Sequence, residues 1–394
     1  MEKIYLDNAA STPLRPEVVR VMLPILEHTF GNPSSIHSTG REAFKILENA
    51  RGDVARTLEC SPSEIMFTGS GTEANNTAVF GVAHAYQARG KHILISSIEH
   101  HSVLAAAQIL STEGFDIEYI PVDAFGCIDI QDVIARIRPD TILISIMLAN
   151  NEIGSLQPIT ELAKVLKDTG TKTTRPILHT DACQAVGQIP LLIQSLGADV
   201  VTLNSSKIYG PKGVGMLYVR SGVVLAPYIV GGAQESGRRA GTENLAGIVG
   251  FSHALTLAIL EEANQSATLR SLRNTFIETL GKKLPHATLN GHPTKRLPNN
   301  IHISLPFVEG ESLVLMLDTY GICASTGSAC AAESLLPSHV LRAIGQSNEL
   351  IHGSLRFTLG RHTTPENIEY TITSLAKCFD RLRSISPTAM PYEN

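Results

Sequence analysis

Several absences in this 394-residue chain narrow its function before any motif is read. Its six cysteines, Cys60, Cys127, Cys183, Cys323, Cys330 and Cys378, are scattered without CxxC pairs or Cys/His clusters. No metal site and no disulfide framework are therefore expected, and free thiols in a reducing compartment fit this pattern. Long apolar runs are missing too. The most apolar window, residues 246–260, is interrupted by Gly250, Ser252, His253 and Thr256, short of the ~18 apolar residues a membrane span needs. A net charge of −5 argues against a general nucleic-acid surface. The opening MEKIYLDNAAST has no basic stretch leading into an apolar one, so no secretory signal is read and a cytoplasmic location is expected. Repeats, low-complexity tracts and flexible linkers are absent as well. What is present, 43 % apolar and 18 % charged residues, is the composition of a globular enzyme with two or three compact units.

Strands and helices then alternate. Apolar strands are expected at 64–67, 91–97, 117–122, 141–148, 176–181, 199–203 and 215–220, with helices between most of them, as at 72–89, 102–113, 128–138 and 159–168. Continuous apolar strands separated by helices predict an α/β fold, a mainly parallel seven-stranded sheet flanked by helices. Two helices, 17–30 and 41–58, precede it. After about Ala258 the pattern changes to a helix-rich stretch, then short strands at 300–305 and 355–359 with helices at 311–320 and 365–383. This predicts a smaller α+β C-terminal domain. The expected division is a large domain, 15–257, and a small one built from 1–14 and 258–394.

Ligands of such sheets gather outside the carboxyl ends of the strands, and unusual polar residues stand at those ends. In EIMFTGSGTEANN, Gly69, Gly71 and Thr72 can cradle a phosphate with backbone N–H groups and a hydroxyl at a helix N-terminus; a plain helix cap is the other reading. Strand 91–97 leads into Glu99-His100-His101, where a histidine can stack on a flat ring or simply be hydrogen-bonded. Strand 141–148 leads into Asn150-Asn151-Glu152-Ile153-Gly154, whose amides can meet a small ligand or build a turn. Asp181 closes an otherwise apolar strand, where a carboxylate is costly unless paired. A protonated pyridine nitrogen is a natural partner, since that ion pair makes the ring an electron sink. One strand later comes NSSKIYGPKGVG. Lys207 sits there at a strand end, and lost hydration would favour its free amine, the form a Schiff-base lysine needs. Cradle, stacking histidine, ring-facing aspartate and lysine together point to pyridoxal 5'-phosphate.

The ordered motifs YLDNAAST, GNPSSIHSTG, TGSGTEANN, IEHHSVL, ANNEIG, TDACQAVG, SKIYGPKGVG, RRAGTEN, STGSAC and LRFTLGR resemble those of cysteine desulfurases. These are fold-type-I pyridoxal-phosphate enzymes of the class-V aminotransferase group. The resemblance runs from Tyr5 to about Pro365 and is closer to the nitrogenase- and iron–sulfur-cluster-associated branch. It implies that Lys207 forms the Schiff base and moves protons at the substrate Cα. Asp181 would pair with the pyridine nitrogen, Gln184 would bond the ring hydroxyl, and His100 would stack on the ring. Gly71, Thr72, Asn204, Ser205 and Ser206 would hold the phosphate, with Thr242 reaching the phosphate of the other subunit of a homodimer. Asn151, also placed beside the cofactor, and Arg356 would take the substrate carboxylate. Cys330, in STGSACAAESLL, would be the nucleophile that takes sulfur from L-cysteine as a persulfide and passes it to an acceptor protein, for iron–sulfur cluster assembly or thio-modification.

Two features depart from the family pattern. Ser206 stands where histidine is usual, which would shift phosphate affinity towards Thr72 and Thr242. Residues 170–175 read as an inserted surface loop without a site role. A selenocysteine lyase or another class-V enzyme, and a scaffold that has lost activity, are the alternative readings; intact Lys207, Asp181, His100, Cys330 and Arg356 speak against the scaffold. For Cys60, Cys183 and Cys323 the expectation is a buried small hydrophobe.

Overall fold

A computed structural model describes residues 3–168, 175–327 and 337–385. The chain opens with β1 (Ile4–Tyr5), α1 (Pro16–His28) and α2 (Ser38–Thr57). Alternating units follow: β2 (Ile65–Thr68), α3 (Gly71–Tyr86), β3 (His92–Ser96), α4 (His101–Thr112), β4 (Asp116–Ile120), α5 (Ile130–Ala135) and β5 (Thr141–Ser145). Next are α6 (Ile159–Asp168), β6 (Ile177–Asp181), α7 (Ile193–Leu196), β7 (Val200–Asn204) and β8 (Gly215–Val219). The C-terminal part holds α8 (Leu245–Lys283), β9 (Thr288–Leu289), β10 (Asn300–Ser304), α9 (Gly310–Thr319), β11 (Ile322–Cys323), α10 (His339–Ala343), α11 (Asn348–His352), β12 (Ser354–Thr358) and α12 (Pro365–Ile385).

The seven-stranded sheet has the order β2-β8-β7-β6-β5-β3-β4. Only β8 runs antiparallel to its neighbours; the other pairings are parallel. Every residue of β3, β5 and β6 is buried, because helices cover both faces. One face packs in a cluster that includes Leu94, Ile144 and Leu203, the other in a cluster that includes Ile93, Ile95 and Leu143. A smaller antiparallel sheet, β12-β10-β9, and the parallel pair β1-β11 share another core with α8, α9 and α12, centred on Phe276 and Phe357.

Helix α8 serves both cores. Leu245, Ile248, Phe251 and Leu255 pack against the large sheet, while Leu269, Leu272, Phe276 and Leu280 pack in the smaller core. The expected division at 257/258 therefore falls inside one continuous helix, because the apolar stripe changes face without a break in helical sequence. By length and composition α8 could cross a membrane, yet half of its most apolar window is buried inside the protein, as in a core helix. The predicted helix 128–138 shortens to α5, opened by Asp129, whose side chain accepts from the Gln131 N–H. Residues 170–174 of the predicted loop lie outside the described residues. The last one, Arg175, grips the buried Asp199 carboxylate with both Nη atoms at 2.7 Å.

Candidate active site

The strand ends and the small sheet enclose a cavity of about 380 Å³. Gly71, Thr72, His100, Asn151, Asp181, Gln184, Asn204, Lys207 and Arg356, all expected from the sequence, line it. Sheet order is what gathers most of them: Gly71 and Thr72 follow β2, His100 follows β3, Asn151 follows β5, Asp181 and Gln184 stand at the end of β6, and Asn204 and Lys207 at the end of β7, while Arg356 comes from within β12 of the smaller sheet.

Asp181, last residue of β6, is buried. Its Oδ2 accepts from Asn75 Nδ2 at 2.7 Å and its Oδ1 from the Cys183 N–H at 2.9 Å. Asn75 Nδ2 also reaches Ser102 Oγ at 2.8 Å, and Ser102 Oγ lies 2.8 Å from His100 Nδ1. The Ser102 N–H donates to the same His100 nitrogen at 3.1 Å, so Nδ1 is an acceptor and the neutral ring carries its proton on Nε2. Burial holds the His100 pKa below its ordinary value. His100 is thus a neutral ring at the N-terminus of α4, aimed by Ser102.

Lys207 ends a short 3-10 turn, Ser205–Lys207, that follows β7. Its Nζ donates to the carbonyls of Ala9 at 2.8 Å and Ala10 at 2.5 Å. Gln184 Nε2 donates to the same Ala9 oxygen at 3.0 Å. Two residues on, Tyr209 adopts a left-handed backbone (φ 62), a costly conformation for a bulky residue. It is held by the Tyr209 N–H to Thr12 Oγ1 at 2.7 Å and by the Arg361 N–H to the Tyr209 hydroxyl at 2.8 Å.

At the phosphate end, Ser70 caps α3 by accepting from the Glu73 N–H at 3.1 Å. A Cβ on Gly71 would lie 3.0 Å from Cys183 Sγ and 3.1 Å from Asn204 Cβ. Glycine therefore keeps the helix N-terminus open to the cavity. At the opposite wall Arg356, buried on β12, donates from Nη1 to the Asn151 carbonyl at 2.9 Å and from Nη2 to Asp7 Oδ1 at 3.0 Å.

The residues fit pyridoxal 5'-phosphate. Asp181 is a buried carboxylate with two neutral donors and, among the described residues, no ion pair. A protonated ring nitrogen would complete it. His100 offers a flat face, Lys207 an amine, and Gly71, Thr72 and Asn204 a cradle for an anion at a helix N-terminus.

Three expected phosphate residues lie outside the cavity lining. Among the described residues Ser205 Oγ, which is buried, has no hydrogen-bond partner, and it faces Gly210, where a Cβ would collide with it. Ser206 accepts through its carbonyl from the Thr12 N–H at 2.9 Å, and Thr242 is exposed. Cys330 lies outside the described residues; Gly327, three residues before it, lines the cavity. As expected, Cys183 is buried, and burial raises its thiol pKa well above normal. Cys60 and Cys323, by contrast, are only half-buried, though partial burial still pushes the Cys60 thiol up to about 12.

Sequence reasoning missed Asn75, Ser102, Asp7, Glu152 and His339. The first four sit within motifs already singled out, but only tertiary contacts aim them. Glu152 accepts from Ser338 Oγ at 2.6 Å, and burial lifts its carboxyl to about 7. His339, on α10, faces the Glu99 carbonyl through Nε2 at 2.9 Å and stacks obliquely on His101.

Comparison with known proteins agrees with this geometry. Residues 4–371 match the family "Aminotransferase class-V". A cysteine desulfurase IscS of Dictyoglomus turgidum is 50% identical over 385 residues, covering 98% of this chain and 96% of the relative. A solved NifS-like protein superposes with a TM-score of 0.90 at 34% identity, covering 96% of this chain and all of that one (100%). A structure described as SspA in complex with cysteine gives a TM-score of 0.79 at 33% identity, covering 92% of this chain and 100% of that one. Fold and site are those of a pyridoxal-phosphate-dependent enzyme. Within that class, the chain belongs to the class-V aminotransferase family and to its cysteine desulfurases.

Proposed function

We propose that this enzyme takes sulfur from L-cysteine onto Cys330 as a persulfide, releases alanine, and hands the sulfur to an acceptor protein for cluster assembly or thio-modification. The observation that carries the reading is the convergence of Asp181, His100, Lys207 and Arg356 on one cavity. When bound, pyridoxal 5'-phosphate supplies an aldehyde for the substrate amine and a ring that delocalises the charge left by proton loss at Cα. Asp181, kept in place by Asn75 and the Cys183 N–H, would keep a proton on the ring nitrogen. Gln184 would bond the ring hydroxyl, and His100 would lie against the ring. Gly71, Thr72 and Asn204 would hold the phosphate, with Ser205 and Ser206 shaping the turn beside it.

Lys207 Nζ takes the Cα proton and returns one during alanine release. Asn151 and Arg356 hold the substrate carboxylate, Arg356 through its planar fork. The Cys330 thiolate, the reactive form, attacks the substrate sulfur: an S–S bond forms as the C–S bond breaks, and the carbon is reprotonated. A homodimer in which Thr242 reaches the other subunit's phosphate is supported by the exposure of Thr242 and of the large apolar side chains Phe30, Ile36 and Val230. We place it in the cytoplasm, in keeping with the free thiols of the described cysteines, Cys60, Cys127, Cys183, Cys323 and Cys378.

Cysteine turnover by the holoenzyme tests this directly. Cys330→Ser should lose alanine production from L-cysteine while keeping the visible absorbance of bound cofactor. Alanine release at the wild-type rate would remove Cys330 from the mechanism.

A further inference from the structure

The charge facing the substrate carboxylate is already matched by a resident one. Arg356 is 3 % exposed and its ion-pair partner is Asp7, with Nη2 to Oδ1 at 3.0 Å. Nη1 is held by the Asn151 carbonyl at 2.9 Å, and Nε is buried without a partner among the described residues. His302 pairs with Arg356 across β10 and β12, and burial drives its pKa down to about 3, so it adds no charge near neutral pH. Among the described residues, Asp7 is the carboxylate bonded to this guanidinium.

Asp7 is also hard to displace. It forms a parallel bridge with Thr358 on β12, two residues beyond Arg356. On either side, the Thr358 N–H donates to Leu6 O at 2.7 Å, Asn8 Nδ2 to Thr358 O at 2.8 Å, and the Ala9 N–H to Thr358 Oγ1 at 2.9 Å. The same segment offers the Ala9 and Ala10 carbonyls to Lys207.

We propose that Asp7 is a positioning residue which aims the Arg356 fork and, by sharing its charge, sets how tightly the site holds an amino-acid carboxylate. An arginine between a fixed aspartate and an incoming carboxylate attracts the second less strongly than a lone arginine would. Weak holding suits an enzyme that must release alanine, which bears the same carboxylate as cysteine. This inference rests on the proposed role of Arg356.

Two variants separate aim from charge. Asp7→Asn keeps an oxygen acceptor for Nη2 but removes the charge. KM for L-cysteine and the dissociation constant of L-alanine, read from the cofactor absorbance of the holoenzyme, should both fall by roughly threefold or more. Asp7→Ala also loses the aim, so KM should rise. Opposite shifts with unchanged cofactor absorbance support the proposal. Equal shifts, or none in Asp7→Asn, overturn it; Asp7→Asn decides alone if Asp7→Ala does not fold. A failure of the underlying function is distinct, because the wild-type holoenzyme would then show no cysteine turnover.

Discussion

Glu152 shows how a single buried side chain can make stability depend on pH. Burial raises its carboxyl to about 7 from an ordinary value of 4.5, with Ser338 and the charge of Arg356 acting the other way. In the unfolded chain it ionises near 4.5, so between these values the folded protein binds the extra proton. Its neutral form is favoured by folding, and that contribution is fully present at low pH and lost as pH rises through 7. Glu152→Gln stays neutral throughout and can still accept from Ser338. Its stability relative to wild type should climb from pH 4.5 to 7 by an amount on the order of 3 kcal/mol. Urea unfolding of the holoenzyme at pH 5 and pH 8 measures this, and an equal difference at both pH values would contradict it. Nothing in the motif ANNEIG shows this property. The sequence places Glu152 after a strand, but only the contact with Ser338 and the enclosure by the smaller sheet take it out of water.

Among the elements, the N-terminus of α3 carries the tightest constraint. Its opening was legible: Ser70 and Glu73 flank Gly71 in TGSGTEANN, the pattern of a capped helix after a strand. Why glycine is needed was not legible, because the obstacles to a Cβ, Cys183 and Asn204, come from two other strand ends. Gly71→Ala should weaken cofactor retention roughly tenfold by crowding the cradle. Dialysis of the holoenzyme followed by absorbance gives the result, and unchanged retention would show that the neighbours yield. The turn after β7 teaches the reverse lesson. NSSKIYG reads as a hydroxyl-lined phosphate loop, yet the Ser205 hydroxyl faces Gly210, because the left-handed Tyr209 folds the turn back on itself. Likewise the domain division expected at 257/258 falls inside α8, since its apolar stripe switches from one core to the other within unbroken helical sequence.

Assembly belongs to the scale of the whole molecule. The proposed homodimer places Thr242 at the other subunit's phosphate, and removing one hydrogen bond to that anion should cost about a tenfold loss of cofactor affinity. Sedimentation at micromolar concentration should give twice the chain mass of 42.4 kDa, unchanged by Thr242→Ala, while the variant releases cofactor more readily. A monomer with ordinary retention would refute the arrangement.

The sequence alone determined the kind of chemistry and the order in which its parts are met. Strand periodicity and turn residues act locally, so they place Asp181, His100 and Lys207 at strand ends without knowledge of the rest. Tertiary structure alone decided which groups face one another. Asp7 and Arg356 are 349 residues apart, and they meet because β1 joins β11 while Asp7, just past β1, bridges to Thr358 on β12. Asn75, Asp181, Ser102 and His100 form one network because α3 and α4 pack side by side over the ends of the central strands. Such pairings follow from sheet order and register, which depend on the simultaneous burial of both sheet faces and leave no mark on any short stretch of chain.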